Sequence, residues 1–298
     1  MRIANAPCSW GVLEFDRTTA TAPFGDVLDE LRLSGYDGTE LGDWGFMPTD
    51  PGRLRHELQA RHLALVGAFV PVALARPEAH DAGVEAALRT ARLLTAAGFD
   101  QALIVLSDDN ASVARRESRA GRLQPGDGLD DAGWNVFAAG ADRIARAVRE
   151  DTGLRSVFHA HCAGYVETPG EIGELMARTD PRLLGLCLDT GHILYGGGDP
   201  VAVLERHAPR VWHVHFKDCD PAVARQARSE GLGYLDAVRR RLFAELGTGA
   251  VDFTAIVGAL RRHAYDGWIV VEQDVFPGDG TPAESARRSR AYLASLGL

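Results

Sequence analysis

At 298 residues, 46% hydrophobic and 24% charged, the chain has the composition of a globular protein and enough length for one large core, which excludes disordered and fibrous classes. The net charge of −9, from 41 acidic and 32 basic residues, argues against a nucleic-acid or anionic-membrane partner, and no apolar run reaches the roughly 18 residues of a membrane span. Cys8, Cys162, Cys187 and Cys219 form no C-x-x-C pair, so buried free thiols in a reducing compartment are expected, and the missing apolar signal core after Arg2 points to the cytoplasm.

Taken in order, Met1–Trp10 reads as a first strand that breaks at Pro7. Residues 24–34 have helical spacing and stop at Gly35, and Tyr36–Leu41 forms a short second strand ending in the carboxylate of Glu40. Asp50-Pro51 opens a helix, with Asp as cap and Pro at its first position. Residues 63–70 form a continuous apolar third strand, as in a buried parallel sheet. A helix over 78–97 and a fourth strand over 101–106 follow. The polar segment 110–130, rich in Arg, reads as an excursion, and 134–150 as an amphipathic helix. The fifth strand is expected at 155–161, a helix capped by Thr168 with Glu171 in a capping box at 168–178, and the sixth strand at 183–189. Then come the turn Gly196–Pro200, a helix over 200–207, a seventh strand over 210–216 and a second excursion over 219–248. A helix from Asp252 to His263, an eighth strand over 267–272 and a last helix over 282–296 close the chain.

Eight apolar strands alternating with helices predict an α/β fold, a parallel (β/α)8 TIM barrel, as one domain over residues 1–298. A doubly wound sheet would carry a G-x-G-x-x-G loop after its first strand, and none is present.

Four of these strands end in ligand-type side chains: His159-Ala-His161, Asp189-Thr-Gly-His192, His213-Val-His215-Phe-Lys217-Asp218, and Glu272. The period of two turns His159 and His161 to one face, and likewise His213 and His215. A barrel gathers all these ends at one mouth, where buried charges require partners or a metal. His159, Asp189, His215 and Glu272 form the expected ligand set for one divalent metal. Two imidazoles and two carboxylates suit Mn, Co, Fe or Zn and are too nitrogen-rich for calcium.

Such a metal polarises a carbonyl and stabilises an enediolate, and that chemistry needs a base near the carbon acid. His161 and His192 are placed either to serve as that base or to orient a ligand. Lys217 either holds a substrate oxygen or assists a leaving hydroxyl. Glu40 reads equally as a substrate contact or as a salt-bridged barrel residue. His213, deeper than His215, reads as structural. Glu167 either lines the mouth or precedes a helix N-terminus. Trp10, Trp44 and Phe46 offer an apolar wall for a sugar face, with core packing the alternative for each.

The ordered set His159-x-His161, Asp189-Thr-Gly-His192, Trp212-His-Val-His215-Phe-Lys217-Asp218 and Trp268-Ile-Val-Val-Glu272-Gln-Asp resembles the xylose-isomerase-like barrel superfamily. Within it the chain is most similar to the inosose dehydratase (2-keto-myo-inositol dehydratase) group. Ala6-Pro-Cys-Ser-Trp10-Gly and Gly35-Tyr-Asp-Gly-Thr-Glu40-Leu-Gly fit as well. The resemblance implies that Asp189, His215 and Glu272 match the last three ligands of the superfamily's Glu-Asp-His-Glu set, with His159 where the first Glu stands; whether His159 or His161 is the first ligand stays open. Losing that Glu argues against two-base epimerisation and for elimination. The resemblance places His161 as general base and His192 against the substrate; Lys217, Glu40 and Trp10 complete the candidate substrate contacts.

The function so implied is a metal-dependent dehydratase acting on a cyclic polyol ketone such as 2-keto-myo-inositol. Manganese or cobalt leads as cofactor, with zinc, iron or magnesium as the others. The partner expected is a small-molecule polyol or keto-sugar, with no nucleic acid and no membrane, in a homodimer or homotetramer. The rivals are a sugar or keto-sugar isomerase or epimerase of the same superfamily, and a metal-free barrel that only binds a ligand.

Overall fold

The computed structural model describes residues 1–13, 22–276, 278 and 280–298. Eight parallel strands close a barrel: β1 (Arg2–Asn5), β2 (Gly38–Glu40), β3 (Ala64–Pro71), β4 (Leu103–Ser107), β5 (Arg155–His159), β6 (Leu184–Asp189), β7 (Val211–Phe216) and, after a small two-stranded insertion of β8 (Asp218–Cys219) and β9 (Phe243–Ala244), β10 (Trp268–Val271). The order round the barrel is β1-β10-β7-β6-β5-β4-β3-β2, so β5, β6, β7 and β10 are consecutive neighbours. The (β/α)8 expectation is what is found. No helix among the described residues is long and apolar enough to cross a membrane.

Period two sorts each strand between two cores. Ile104 and Leu106 of β4, Phe158 of β5, Val214 and Phe216 of β7, and Ile269 and Val271 of β10 face the outer layer. There they pack with Leu28 and Leu31 of the helix Phe24–Leu33, Ile144 and Val148 of Asp131–Thr152, and Ile256 and Leu260 of Phe253–Arg262. The alternate positions fill the barrel interior: Leu103, Val105, Val157 and Cys187 in one cluster, Ala4, Val66 and Val270 in another. His159 shares the parity of Val157, Asp189 that of Cys187, and Glu272 that of Val270, so the same alternation carries all three inward at the C-terminal mouth.

The helix caps follow the sequence. Asp50 accepts from Arg53 N, Asp130 from Gly133 N and Asp252 from Ala255 N, and Thr168 and Glu171 complete the reciprocal capping box. One expectation is corrected and one element is new. The fifth strand ends at His159, not His161: its ladder with β6 stops at His159–Cys187, and the chain turns away through Ala163 at φ +67°. The segment after Asp189 is a six-residue helix, Thr190–Tyr195, which was not anticipated because its apolar residues span less than two turns. Both excursions are ordered. The first contains the helix Ala114–Arg119; the second contains Pro221–Glu230 and Tyr234–Arg239.

Candidate metal centre and active site

The Asp-Thr-Gly-His motif has a structural logic at each position. Asp189 Oδ1 caps the helix Thr190–Tyr195 by accepting from His192 N at 2.8 Å, which leaves Oδ2 aimed into the barrel. Thr190 Oγ1 bonds both the carbonyl oxygen of Lys217 (2.7 Å) and its N–H (3.0 Å), stapling the end of β7 to that of β6. A Cβ on Gly191 would stand 2.8 Å from Lys217 Cγ, so only glycine lets the lysine pass.

His159 Nε2 lies 3.3 Å from Asp189 Oδ2, and His215 Nδ1 lies 3.8 Å from Asp189 Oδ2 and 3.3 Å from Glu272 Oε2. One donor atom from each of His159, Asp189, His215 and Glu272 falls within 4.8 Å of the others, and all four residues are buried. Adjacent strand tips thus bring the four expected ligands together. His215 Nδ1 is a buried polar atom that makes no hydrogen bond among the described residues, an arrangement a protein tolerates where another partner is supplied. The other ring nitrogen, Nε2, donates to Glu40 Oε1 at 3.0 Å, fixing the tautomer that leaves the Nδ1 lone pair toward the cluster. This donor set fits a divalent metal.

Glu40 lines the cavity over the cluster and is at the same time tied into the barrel by two histidines. Its Oε1 accepts from His213 Nε2 at 2.7 Å as well as from His215, and it is 3% exposed. Burial works to raise its carboxyl, but the two imidazoles outweigh burial and hold it down at about 2. Glu40→Gln is expected to weaken metal binding roughly 10- to 100-fold by loosening the His215 ring, measured by metal titration in a competing chelator.

A cavity opens above the cluster, with Glu40, His159, His161, Lys217, Glu272 and Asp274 on its polar side and Pro7, Val12 and Phe69 on its apolar side. His161 lies beyond the strand, its ring 3.8 Å from that of His192 and 5.5 Å from that of His159. Burial, then the neighbouring His159 and Lys217 charges, hold His161 well below the ordinary imidazole range. Burial and the His161 and Lys217 charges do the same for His192. Lys217 is buried, which alone would depress it, yet Asp274 and Glu272 keep its ammonium well above the usual range. Its Nζ lies 2.5 Å from Asp274 Oδ1 and 3.1 Å from Glu272 Oε2.

Trp10 does not reach this cavity. It is buried in the outer core, where Nε1 donates to Glu30 Oε2 at 2.7 Å, because the chain turns outward through the short helix Pro7–Trp10. Phe46 packs against the same core, and Trp44 lines a neighbouring cavity with Arg89 over its ring. The apolar wall is instead Pro7, Val12 and Phe69. Glu167 is buried away from the mouth and accepts from Gly121 N and Ala163 N, tying the first excursion to the His161 loop. Asp274 and Tyr234 were given no role in the sequence reading. Asp274 follows Glu272 by two and was findable by parity; Tyr234 lies in the second excursion and carries no local signal.

Residues 28–296 match the xylose isomerase-like TIM barrel family. The chain belongs to that family. This xylose isomerase-like barrel is 32% identical over 288 residues to an inosose dehydratase of Lacticaseibacillus casei, covering 97% of this chain and 94% of that protein. It is 31% identical over 290 residues to an inosose dehydratase of Bacillus velezensis, covering 97% and 94%. Among solved structures it is similar to the probable 3-DHS dehydratase AsbF from Bacillus anthracis, with a TM-score of 0.71, 16% identity and 99% of each chain covered. It is also similar to IolI protein with a bound zinc atom, with a TM-score of 0.71, 14% identity and 99% and 98% covered. At these identities the two structures speak for the fold.

Proposed function

We propose that this xylose isomerase-like barrel is a metal-dependent hydro-lyase that removes water from a cyclic polyhydroxy ketone, an inosose. The observation that carries the reading is the buried convergence of His159, Asp189, His215 and Glu272 at the floor of a cavity that also presents His161 and Lys217. Near full-length likeness to two inosose dehydratases names the substrate class.

His159, Asp189, His215 and Glu272 would hold the cation, with manganese or cobalt favoured and zinc, iron or magnesium as alternatives. When bound, it supplies Lewis acidity toward the ketone oxygen. His161 takes the α-proton. Its Nδ1 donates to the Cys162 carbonyl oxygen at 2.6 Å, so Nε2 carries the lone pair. The C–H electrons move toward the carbonyl and then expel the β-hydroxyl, which takes a proton from the Lys217 ammonium and leaves as water. Asp274 and Glu272 hold that ammonium in place. Lys217 regains a proton from solvent as His161 releases one, so the reaction balances as substrate giving enone and water. His192 shields the base from solvent by its ring contact.

The test is incubation of metal-loaded protein with 2-keto-myo-inositol, following the enone absorbance and the loss of water by NMR. Chelator-treated protein is expected to be slower by about a thousandfold, the several kcal/mol a Lewis acid supplies, and to recover on adding Mn or Co. Solvent deuterium entering the substrate with no loss of water would replace this reading by an isomerase or epimerase. No product from any inosose isomer would remove it.

A further inference from the structure

Above the four ligands lies a second buried polar group. Asp274 Oδ2 accepts from the Tyr234 hydroxyl at 3.2 Å, while Oδ1 holds Lys217 Nζ. The same hydroxyl lies 3.4 Å from His161 Nε2. His161, Lys217 and Asp274 all line the cavity; Tyr234 stands behind them, fully buried.

Tyr234 enters from the insertion between β8 and β9, at the start of the helix Tyr234–Arg239. That helix is held in place from the first excursion: Glu117 accepts from Leu235 N at 3.1 Å, and Arg122 donates to the Leu232 carbonyl oxygen at 2.6 Å. The ring packs edge-on against His161, centroids 5.3 Å apart. The one proton on the hydroxyl goes to Asp274 Oδ2, so the Tyr234 oxygen stands 3.4 Å from His161 Nε2 without donating to it and leaves that lone pair to the substrate.

We propose that Tyr234 is a positioning residue for the dehydration: its hydroxyl is anchored on Asp274, the partner of Lys217, and its ring is set against His161, which together fix the group that takes the α-proton relative to the ammonium that releases the hydroxyl. This rests on the roles of His161 and Lys217 given above. Elimination needs both groups aligned on one substrate, and misalignment lowers turnover without weakening ground-state binding. The second excursion thereby becomes part of the active site.

Tyr234→Phe in the metal-loaded protein removes one oxygen and keeps the ring packing. Expected are a kcat lower by roughly 10-fold, a KM within about twofold of wild type and unchanged metal content. Adding Tyr234→Phe to Asp274→Ala is expected to slow that variant by less than about twofold, because the hydroxyl no longer has the carboxylate that anchors it. In 15N-histidine-labelled protein without substrate, the His161 Nε2 resonance moves on Tyr234→Phe and that of His213 does not. Wild-type kcat in Tyr234→Phe, losses that multiply in the double variant, or an unmoved His161 resonance would each overturn the proposal. If wild-type protein turned over no inosose, the reading of the reaction would fall by itself, while the imidazole resonance, read without substrate, would still uphold or overturn the Tyr234 contact.

Discussion

Replacing His161 by glutamine is expected to slow dehydration roughly a thousandfold, within the span that a positioned base contributes, while metal content stays at the wild-type level. The expectation follows from how the two histidines of the His159-Ala-His161 segment part company. His159 ends β5 and keeps strand parity, which sets Nε2 3.3 Å from Asp189 Oδ2 within the four-ligand group. His161 lies past the end of the ladder, where Nδ1 donates to the carbonyl oxygen of Cys162. Its side chain groups with His192 and Asp274 rather than with the four ligands. Removing it therefore takes away the proton acceptor and leaves the coordination set whole. The matching control is His159→Gln, expected to lose both metal and activity. Metal analysis of the two purified variants alongside kcat decides between them: metal lost from His161→Gln and kept by His159→Gln would exchange their roles.

Arg116→Met is expected to destabilise the fold by about 3–5 kcal/mol, the range for breaking one side of a buried ion pair. Arg116 is 1% exposed. Its guanidinium donates to Glu171 Oε1 at 2.7 Å and Oε2 at 3.0 Å, and through Nε to the Gly164 carbonyl oxygen at 2.7 Å. Methionine fills much of the volume but leaves the Gly164 carbonyl without its donor and Glu171 with only the N–H groups of its capping box and of Glu167. By contrast Arg182, 86% exposed in its pair with Asp180, is expected to change stability by no more than about 1 kcal/mol when truncated. Urea midpoints at unchanged slope measure both. A loss under about 1 kcal/mol for Arg116→Met would show that water replaces the guanidinium at no penalty. Because Gly164 belongs to the loop that carries His161, turnover in this variant is expected to fall below what the folded fraction explains.

The legible part of the site was the part built by local rules. Strand alternation alone carries His159, Asp189 and Glu272 to the inner face, and barrel closure then gathers them with His215. Glu40 was ambiguous because its partners, His213 and His215, stand 173 and 175 residues away along the chain. No periodicity near Glu40 records an acceptor shared by two imidazoles. Trp10 was open between a wall of the mouth and the core because spacing does not give the direction the backbone takes: the short helix after Pro7 turns the indole into the outer core, to Glu30.

What the sequence by itself determined is the alternation of eight strands and their helices, the caps at Asp50, Thr168 and Asp252, and the four strand tips that meet at one mouth. Those features rest on spacings of two and 3.6 and on side chains that bond their own neighbours. Only the tertiary structure decided that the fifth strand stops at His159, that Asp274 holds Lys217, and that Tyr234 reaches His161 from the second excursion. These depend on which buried polar atoms find partners once distant segments pack. Burial makes an unpaired donor or acceptor costly wherever it falls along the chain, so the pairing is settled by three-dimensional proximity, of which local sequence keeps no trace.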